Sequence, residues 1–236
     1  MNSPQDLEKQ FDNVYSEFLE KLGHHKEQKR GFCFGYRTEP FVKRIIGCLV
    51  QKVFVLDPGC EFSTSQNVVQ LKGDLLEKLT AFPDGTFSFV FSLWHLSALR
   101  EVYRTNIKRI LKKDGICGLL IAEGQSPNLI MNILKREGLL LKKIGFPQGV
   151  NNLRNFLEVS GFFQNRIWEG KLRFNFCSAN ECLNNFEIMG GDAIFRALPE
   201  IARRRVKDTL LKKLSLLMKK NELTLEYNYL GAISCP

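Results

Sequence analysis

His95 stands just past the apolar run Thr86 to Ser92, in the stretch Ser92-Leu93-Trp94-His95. From the end of such a run an imidazole could act as a general base or touch a substrate. It could equally cap a helix or pack in the core. Trp94 offers a ring that could stack on a base or fill the core. Two carboxylates each sit beside a glycine after a β-forming run: Asp57-Pro58-Gly59-Cys60 follows Val53-Phe54-Val55-Leu56, and Gly73-Asp74 follows Val68 to Lys72. His24 and His25 lie in a polar, basic stretch and read as solvated. The cysteines, Cys33, Cys48, Cys60, Cys117, Cys177, Cys182 and Cys235, are odd in number and contain no Cys-x-x-Cys pair. Neither a disulfide framework nor a zinc site is expected, and most of them read as small buried hydrophobes.

The elements that must position these residues follow from periodicity. Residues 3–22 carry an apolar stripe of Leu7, Phe11, Val14, Tyr15, Phe18, Leu19 and Leu22, with Ser3 as N-cap, Pro4 in the first turn and Gly23 as the stop. An irregular basic stretch is expected from His24 to Arg37, then a helix over 39–49. Short β-rich runs predict buried strands at 53–57, 68–72, 86–92 and 116–122, with a helix over 96–111. Further on, a helix over 152–159, a strand over 166–174, a helix over 199–220 and a strand over 223–234 are expected. The 199–220 helix should turn Ile201, Ala202, Val206, Leu210, Leu214 and Leu217 inward. Strands alternating with helices imply an α/β fold with a parallel sheet.

With 236 residues, 44% of them hydrophobic, one domain with a full core is expected. The start is polar, without the apolar core of a signal peptide, and no apolar run approaches the length of a bilayer span. A soluble, cytoplasmic protein is expected. The net charge of +9 admits nucleic acid, acidic lipid or an anionic metabolite as partner without selecting one. Arg203-Arg204-Arg205-Val206-Lys207 makes a basic helix face, but no interleaved aromatics accompany it. It reads better as a solvated face than as a nucleic-acid or membrane surface.

Taken in order, several segments resemble the class I S-adenosylmethionine (AdoMet)-dependent methyltransferases, and most closely their type-11, quinone-biosynthesis-like group. Val55-Leu56-Asp57-Pro58-Gly59-Cys60-Glu61-Phe62-Ser63 resembles the family's strand and glycine turn, Asp-x-Gly-Cys-Gly-x-Gly, with Glu61 and Ser63 where the family has glycine. The most specific match joins Leu71-Lys72-Gly73-Asp74 to Ala81-Phe82-Pro83-Asp84-Gly85-Thr86-Phe87, which resembles the family's Gly-Asp and Phe-Pro-Asp-Gly-Ser-Phe-Asp. Ile107 to Gly115 resembles the helix end and turn before the fifth strand. Leu157-Glu158-Val159-Ser160-Gly161-Phe162 resembles the approach to the sixth, and Leu223 onward the last, antiparallel strand.

The resemblance implies a Rossmann-like sheet, mostly parallel with an antiparallel last strand. It implies S-adenosyl-L-methionine as cofactor, held by Asp57, Gly59, Cys60, Asp74, Ser92 and Trp94, with Asp74 receiving the adenine amino group. It implies His95 as the catalytic candidate, a small-molecule methyl acceptor, and an N-terminal helical lid (1–49) over a methyltransferase-like domain (50–236). Tyr15 and Tyr36 could belong to that lid. One departure is large. Only residues 58–73 separate Asp57 from Asp74, where the family has helix, second strand and helix. A βαβ unit takes about 30 residues, so the usual second strand and its flanking helices are expected to be missing. Impaired methyltransferase activity, or a non-catalytic protein acting through a protein partner, are the resulting alternatives.

Overall fold

The computed structural model describes residues 4–23, 28–62, 65–95, 100–124, 126–138, 147–218 and 223–236. Its strands are β1 (Gln28–Gly35), β2 (Val50–Leu56), β3 (Val68–Gln70), β4 (Phe87–Leu93), β5 (Leu111–Ala122), β6 (Phe163–Phe176) and β7 (Leu223–Cys235). They form one sheet in the order β3-β2-β1-β4-β5-β7-β6. β1 to β5 run parallel, and β7 is antiparallel to both β5 and β6. The mostly parallel sheet with an antiparallel last strand is the one expected.

The missing second strand is not missing. Val50–Leu56 is itself the second strand, and the first is Gln28–Gly35, inside the stretch expected to be irregular. β1 opens among lysine and arginine and carries Gly31 and Gly35, and both features disguise it. Yet residues 31–35 are buried throughout, between β2 on one side and β4 on the other. The apparent deletion between Asp57 and Asp74 is therefore only the β2-to-β3 crossover. That crossover, residues 57–67, contains no helix among the described residues. The boundary expected at residue 49 falls too, because β1 lies in the middle of the sheet and cannot belong to a separate lid.

Helices cover both faces of the sheet. On one side lie α1 (Pro4–Leu22) and α2 (Thr38–Ile45), with α5 (Asn128–Arg136), α7 (Ala179–Phe186) and α9 (Glu200–Met218). Phe11, Tyr15 and Phe18 of α1 pack there with Phe41, Phe91, Ile130 and Leu210. On the other side α3 (Leu75–Ala81), α4 (Glu101–Ile110) and α6 (Gly149–Val159) bury Leu79, Ile107, Ile110, Leu153 and Leu157 against Phe32, Phe34 and Phe87. A π-helical turn at residues 187–191 leads into α8 (Asp192–Arg196). The inward stripe of α9 is narrower than expected. Val206, Leu210 and Leu214 are buried, but Ile201 is 86% exposed and Leu217 50%. Helices α3, α5, α7 and α8 had no counterpart in the sequence reading. No helix among the described residues is long and apolar enough to cross a membrane.

The two most distinctive sequence segments clasp each other. Gly85 of the Pro83-Asp84-Gly85 turn donates its N–H to the Arg109 carbonyl at 3.0 Å. The Arg109 guanidinium reaches back to Asp84 Oδ1 (2.5 Å) and to the carbonyls of Phe82 and Leu79 (both 2.8 Å). The turn before β4 is thus fixed by the last turn of α4, where proline and glycine supply the backbone shape.

Candidate functional site

The chain runs from β1 outward through β2 to β3, then returns to β4 and β5 on the other side. The connections that leave the C-terminal ends of β1 and β4 therefore diverge, and open α/β sheets bind ligands at such a place. A cavity of about 370 Å³ lies there. Gly35 ends β1 and Tyr36 follows it at the cavity wall, Asp57 and Cys60 follow β2, Asp74 follows β3, His95 follows β4, and Arg196 of α8 also lines it. A second cavity of about 330 Å³ shares Tyr36, Asp57 and Cys60 and extends to Phe11, Arg37 and Glu39.

Asp57 is 5% exposed and organises both cavities. Its Oδ2 accepts from the Thr38 N–H (2.9 Å) and hydroxyl (2.8 Å), and its Oδ1 accepts from the Gly59 N–H (2.9 Å). The carboxylate thus ties the turn after β1 to the turn after β2. A carboxylate has about four lone-pair directions, so little capacity remains for a ligand. Asp74 is exposed and caps α3, with Oδ1 accepting from the N–H groups of Leu76 (2.8 Å) and Glu77 (3.1 Å). Its Oδ2 makes no hydrogen bond among the described residues.

Tyr36 divides the two cavities. Its hydroxyl donates to Asp192 Oδ2 at 3.0 Å, and the Arg196 Nε approaches the same oxygen at 2.7 Å. Burial, then the charge of Asp192, pushes the Tyr36 phenol up to about 12, so it remains a donor. Cys60 donates its thiol to Glu39 at 3.3 Å. Burial and that carboxylate push the thiol up to about 11, which keeps it from acting as a thiolate.

His95 meets Phe34 edge-on at 5.8 Å, and its Nδ1 is buried without a partner among the described residues. Burial first, then the nearby Arg196, lowers its pKa to about 4, leaving a neutral imidazole. The unfolded chain, with an ordinary value of about 6.5, takes up the proton first. His95 therefore contributes its full stability above pH 6.5 and loses it as pH falls toward 4. Stability should drop by about 1 kcal/mol between pH 6.5 and 5.5. Urea titrations at the two pH values check this; the drop should vanish in His95→Gln.

Of the residues expected at the site, Asp57, Cys60, Asp74 and His95 line the first cavity, and Asp57, Gly59 and Cys60 the second. Trp94 and Ser92 line neither. Trp94 has a positive φ of 57°, is fully buried, and donates Nε1–H to the Tyr15 hydroxyl at 3.1 Å, packed on Phe11 and Tyr229. The Ser92 hydroxyl, also buried, bonds the His95 carbonyl at 3.3 Å. Tyr15 is core as well, as its stripe position indicated. The segment expected to form the glycine turn of a first strand instead follows the second. The turn after β1 is Gly35-Tyr36-Arg37-Thr38, and its cavity-lining residues Tyr36 and Arg37 were not expected at the site. The signal available was Gly35, placed at the end of a run of large apolar side chains.

No protein-family profile matches the chain, and no curated protein matches it. Solved structures do. The chain is similar to a candidate methyltransferase of Bacillus halodurans, with 13% identity and a TM-score of 0.59 over 94% of this chain and 98% of that one. It is similar to the YcgJ protein of Bacillus subtilis, with 12% identity and a TM-score of 0.57 over 94% and 98%. It is also similar to Haemonchus contortus phosphoethanolamine N-methyltransferase 2, solved with phosphomonomethylethanolamine and S-adenosylhomocysteine. There the identity is 14% and the TM-score 0.51, over 95% of this chain and 53% of that one. The chain has the Rossmann-like fold of the class I methyltransferases.

The residues present fit the nucleoside end of S-adenosylmethionine. Asp74 keeps one carboxylate oxygen for an amino group, and Phe34, Leu56 and Leu71 give the cavity apolar walls. Towards β1 the fit is tighter, because Tyr36 and Arg37 carry full side chains in the turn.

Proposed function

We propose that this chain is an AdoMet-dependent methyltransferase of the type-11 kind, acting on a small-molecule acceptor. The observation that carries this reading is the cavity at the β1–β4 divergence, with Asp74 at its β3 side and neutral His95 at its β4 side. When bound, the cofactor supplies an electrophilic methyl group. The chain's own contribution is orientation, which provides much of the rate for such a displacement. Asp74 would hold the adenine amino group, and Gly59 and Cys60 would border the sugar. The Tyr36 hydroxyl and the uncharged His95 imidazole would set the polar contacts nearest the reacting end. His95 suits hydrogen bonding there better than proton abstraction, since a pKa of about 4 makes it a weak base at neutral pH.

Calorimetry with S-adenosylhomocysteine and AdoMet tests the reading, and a micromolar dissociation constant is expected. Asp74→Asn should retain the helix cap, since asparagine caps as well as aspartate, while presenting a donor to the adenine amino group. Stability should stay within about 0.5 kcal/mol, and binding should weaken about tenfold, the loss of one hydrogen bond to a carboxylate. Equal affinity in the variant would remove Asp74 from the site.

A second reading, a non-catalytic protein that acts through a protein partner, is favoured by the Tyr36–Asp192 tie across the cavity. It predicts no cofactor binding at millimolar concentration by a cooperatively folded chain.

A further inference from the structure

Among the described residues Arg37 has no ion-pair partner, although it is mostly enclosed. Its backbone is left-handed (φ 54°, ψ 38°), an uncommon and strained state for a side chain of this size. The carbonyl is pinned by the Tyr15 hydroxyl at 2.8 Å. The guanidinium lies over the Phe11 ring, 4.6 Å from its centroid. Phe11 is itself stacked on Phe174 and edge-on to Trp94. The platform under Arg37 is therefore part of the core.

Among the described residues, no carboxylate forms an ion pair with Arg37, and its Nε is buried without a hydrogen-bond partner. The acids around the second cavity are spent elsewhere or do not pair with Arg37. Glu39 pairs with Lys43 at 2.7 Å, and Asp57 holds Thr38 and Gly59. Glu8 and Asp57 act on Arg37 through their charge without forming an ion pair with it among the described residues. An enclosed guanidinium without a partner is costly. A ligand carboxylate, matched to its planar fork, would remove that cost.

We propose that the second cavity is the acceptor site and that Arg37 anchors a carboxylate group of the acceptor there. This rests on the methyltransferase reading for the word acceptor, but the anion site stands on its own geometry. The cavity shares Tyr36, Asp57 and Cys60 with the first, so a molecule held at Arg37 lies next to the cofactor cavity. Glu8, Glu39 and Asp57 also line this cavity. A phosphate dianion would therefore meet more repulsion at Arg37 than a carboxylate monoanion would.

The test follows the Arg37 Nε–H by NMR while sodium benzoate, benzamide or inorganic phosphate is added, with and without saturating S-adenosylhomocysteine. Arg37→Asn is the control variant, because asparagine tolerates left-handed backbone and should fold. Benzoate should shift the Arg37 signal with a millimolar dissociation constant. Binding should weaken at least tenfold in Arg37→Asn, and benzamide should bind at least tenfold more weakly than benzoate. Equal binding of benzamide, or no shift of Arg37 with any probe, overturns the proposal. Phosphate binding more tightly than benzoate overturns the choice of a carboxylate. A benzoate site without S-adenosylhomocysteine binding would keep the anion site and sink the methyltransferase reading, so the two fail separately.

Discussion

Asp57→Ala should cost about 3–5 kcal/mol and abolish ligand binding at both cavities together. Alanine removes one acceptor and strands the donors it served. Two of them, the Thr38 N–H and hydroxyl, are fully buried. Each buried donor left without a partner costs about 1–3 kcal/mol. The third, Gly59 N–H, is at the surface and can turn to water, so it adds little. Asp57→Asn separates charge and geometry from simple deletion. Its single amide oxygen can keep the Thr38 side, and its NH₂ then faces the exposed Gly59 N–H, a loss of about 1 kcal/mol. Urea denaturation of the two variants should show that ordering. A stability change below about 1 kcal/mol for Asp57→Ala would mean that the turns after β1 and β2 hold their shape without the carboxylate.

The same residue shows how far the sequence could be read. Val53 to Leu56 announces a strand through its β-branched and apolar content, and Asp57 with Gly59 announces a turn. Neither announces which strand it is. Order in a sheet is a non-local property, and one misplaced strand changes the whole count. β1 escaped because its outer residues are basic and its glycines suppress β propensity. What stabilises it is burial between two neighbours, which a single-sequence pattern does not contain. β4 and β5 were legible because Phe87–Leu93 and Ile116–Ala122 are rich in apolar residues and follow clear turns.

The site was legible where residues act through position on a strand end. Asp57 and Cys60, Asp74, and His95 reach the cavity from the ends of three strands, and each place is marked by an apolar run or a Gly-Asp pair. Trp94 was ambiguous because a ring at a strand end can turn either way. Its left-handed backbone turns it into the core, against Tyr15. Tyr36 and Arg37 could not be placed while β1 was hidden, although they stand nearest the division between the cavities. The residues hardest to read are thus those that follow the hidden strand.

Gly35→Ala tests the other support of that division, and the expected loss is about 1.5–4.5 kcal/mol. Gly35 ends β1 with φ 123° and sits opposite Leu93 of β4. A Cβ there would lie 1.9 Å from the Leu93 carbonyl oxygen. That oxygen belongs to the backbone of a fully buried strand and also accepts the Tyr36 N–H at 2.9 Å. It cannot move aside as a flexible side chain would. The backbone strain contributes about 1–3 kcal/mol, and the displaced Tyr36 hydrogen bond about 0.5–1.5 kcal/mol more. Gly47→Ala isolates the first of these. Gly47 also has a positive φ, 83°, but nothing within 4 Å of an added Cβ, so its loss should stay near 1 kcal/mol. Denaturation midpoints of the two variants give the comparison. Equal losses would show that β1 and β4 can part at their ends, in which case Gly35 does not fix the turn that carries Tyr36 and Arg37. A much larger loss at Gly35 would show that the approach of these two strands sets where both side chains stand, and with them the wall between the two cavities.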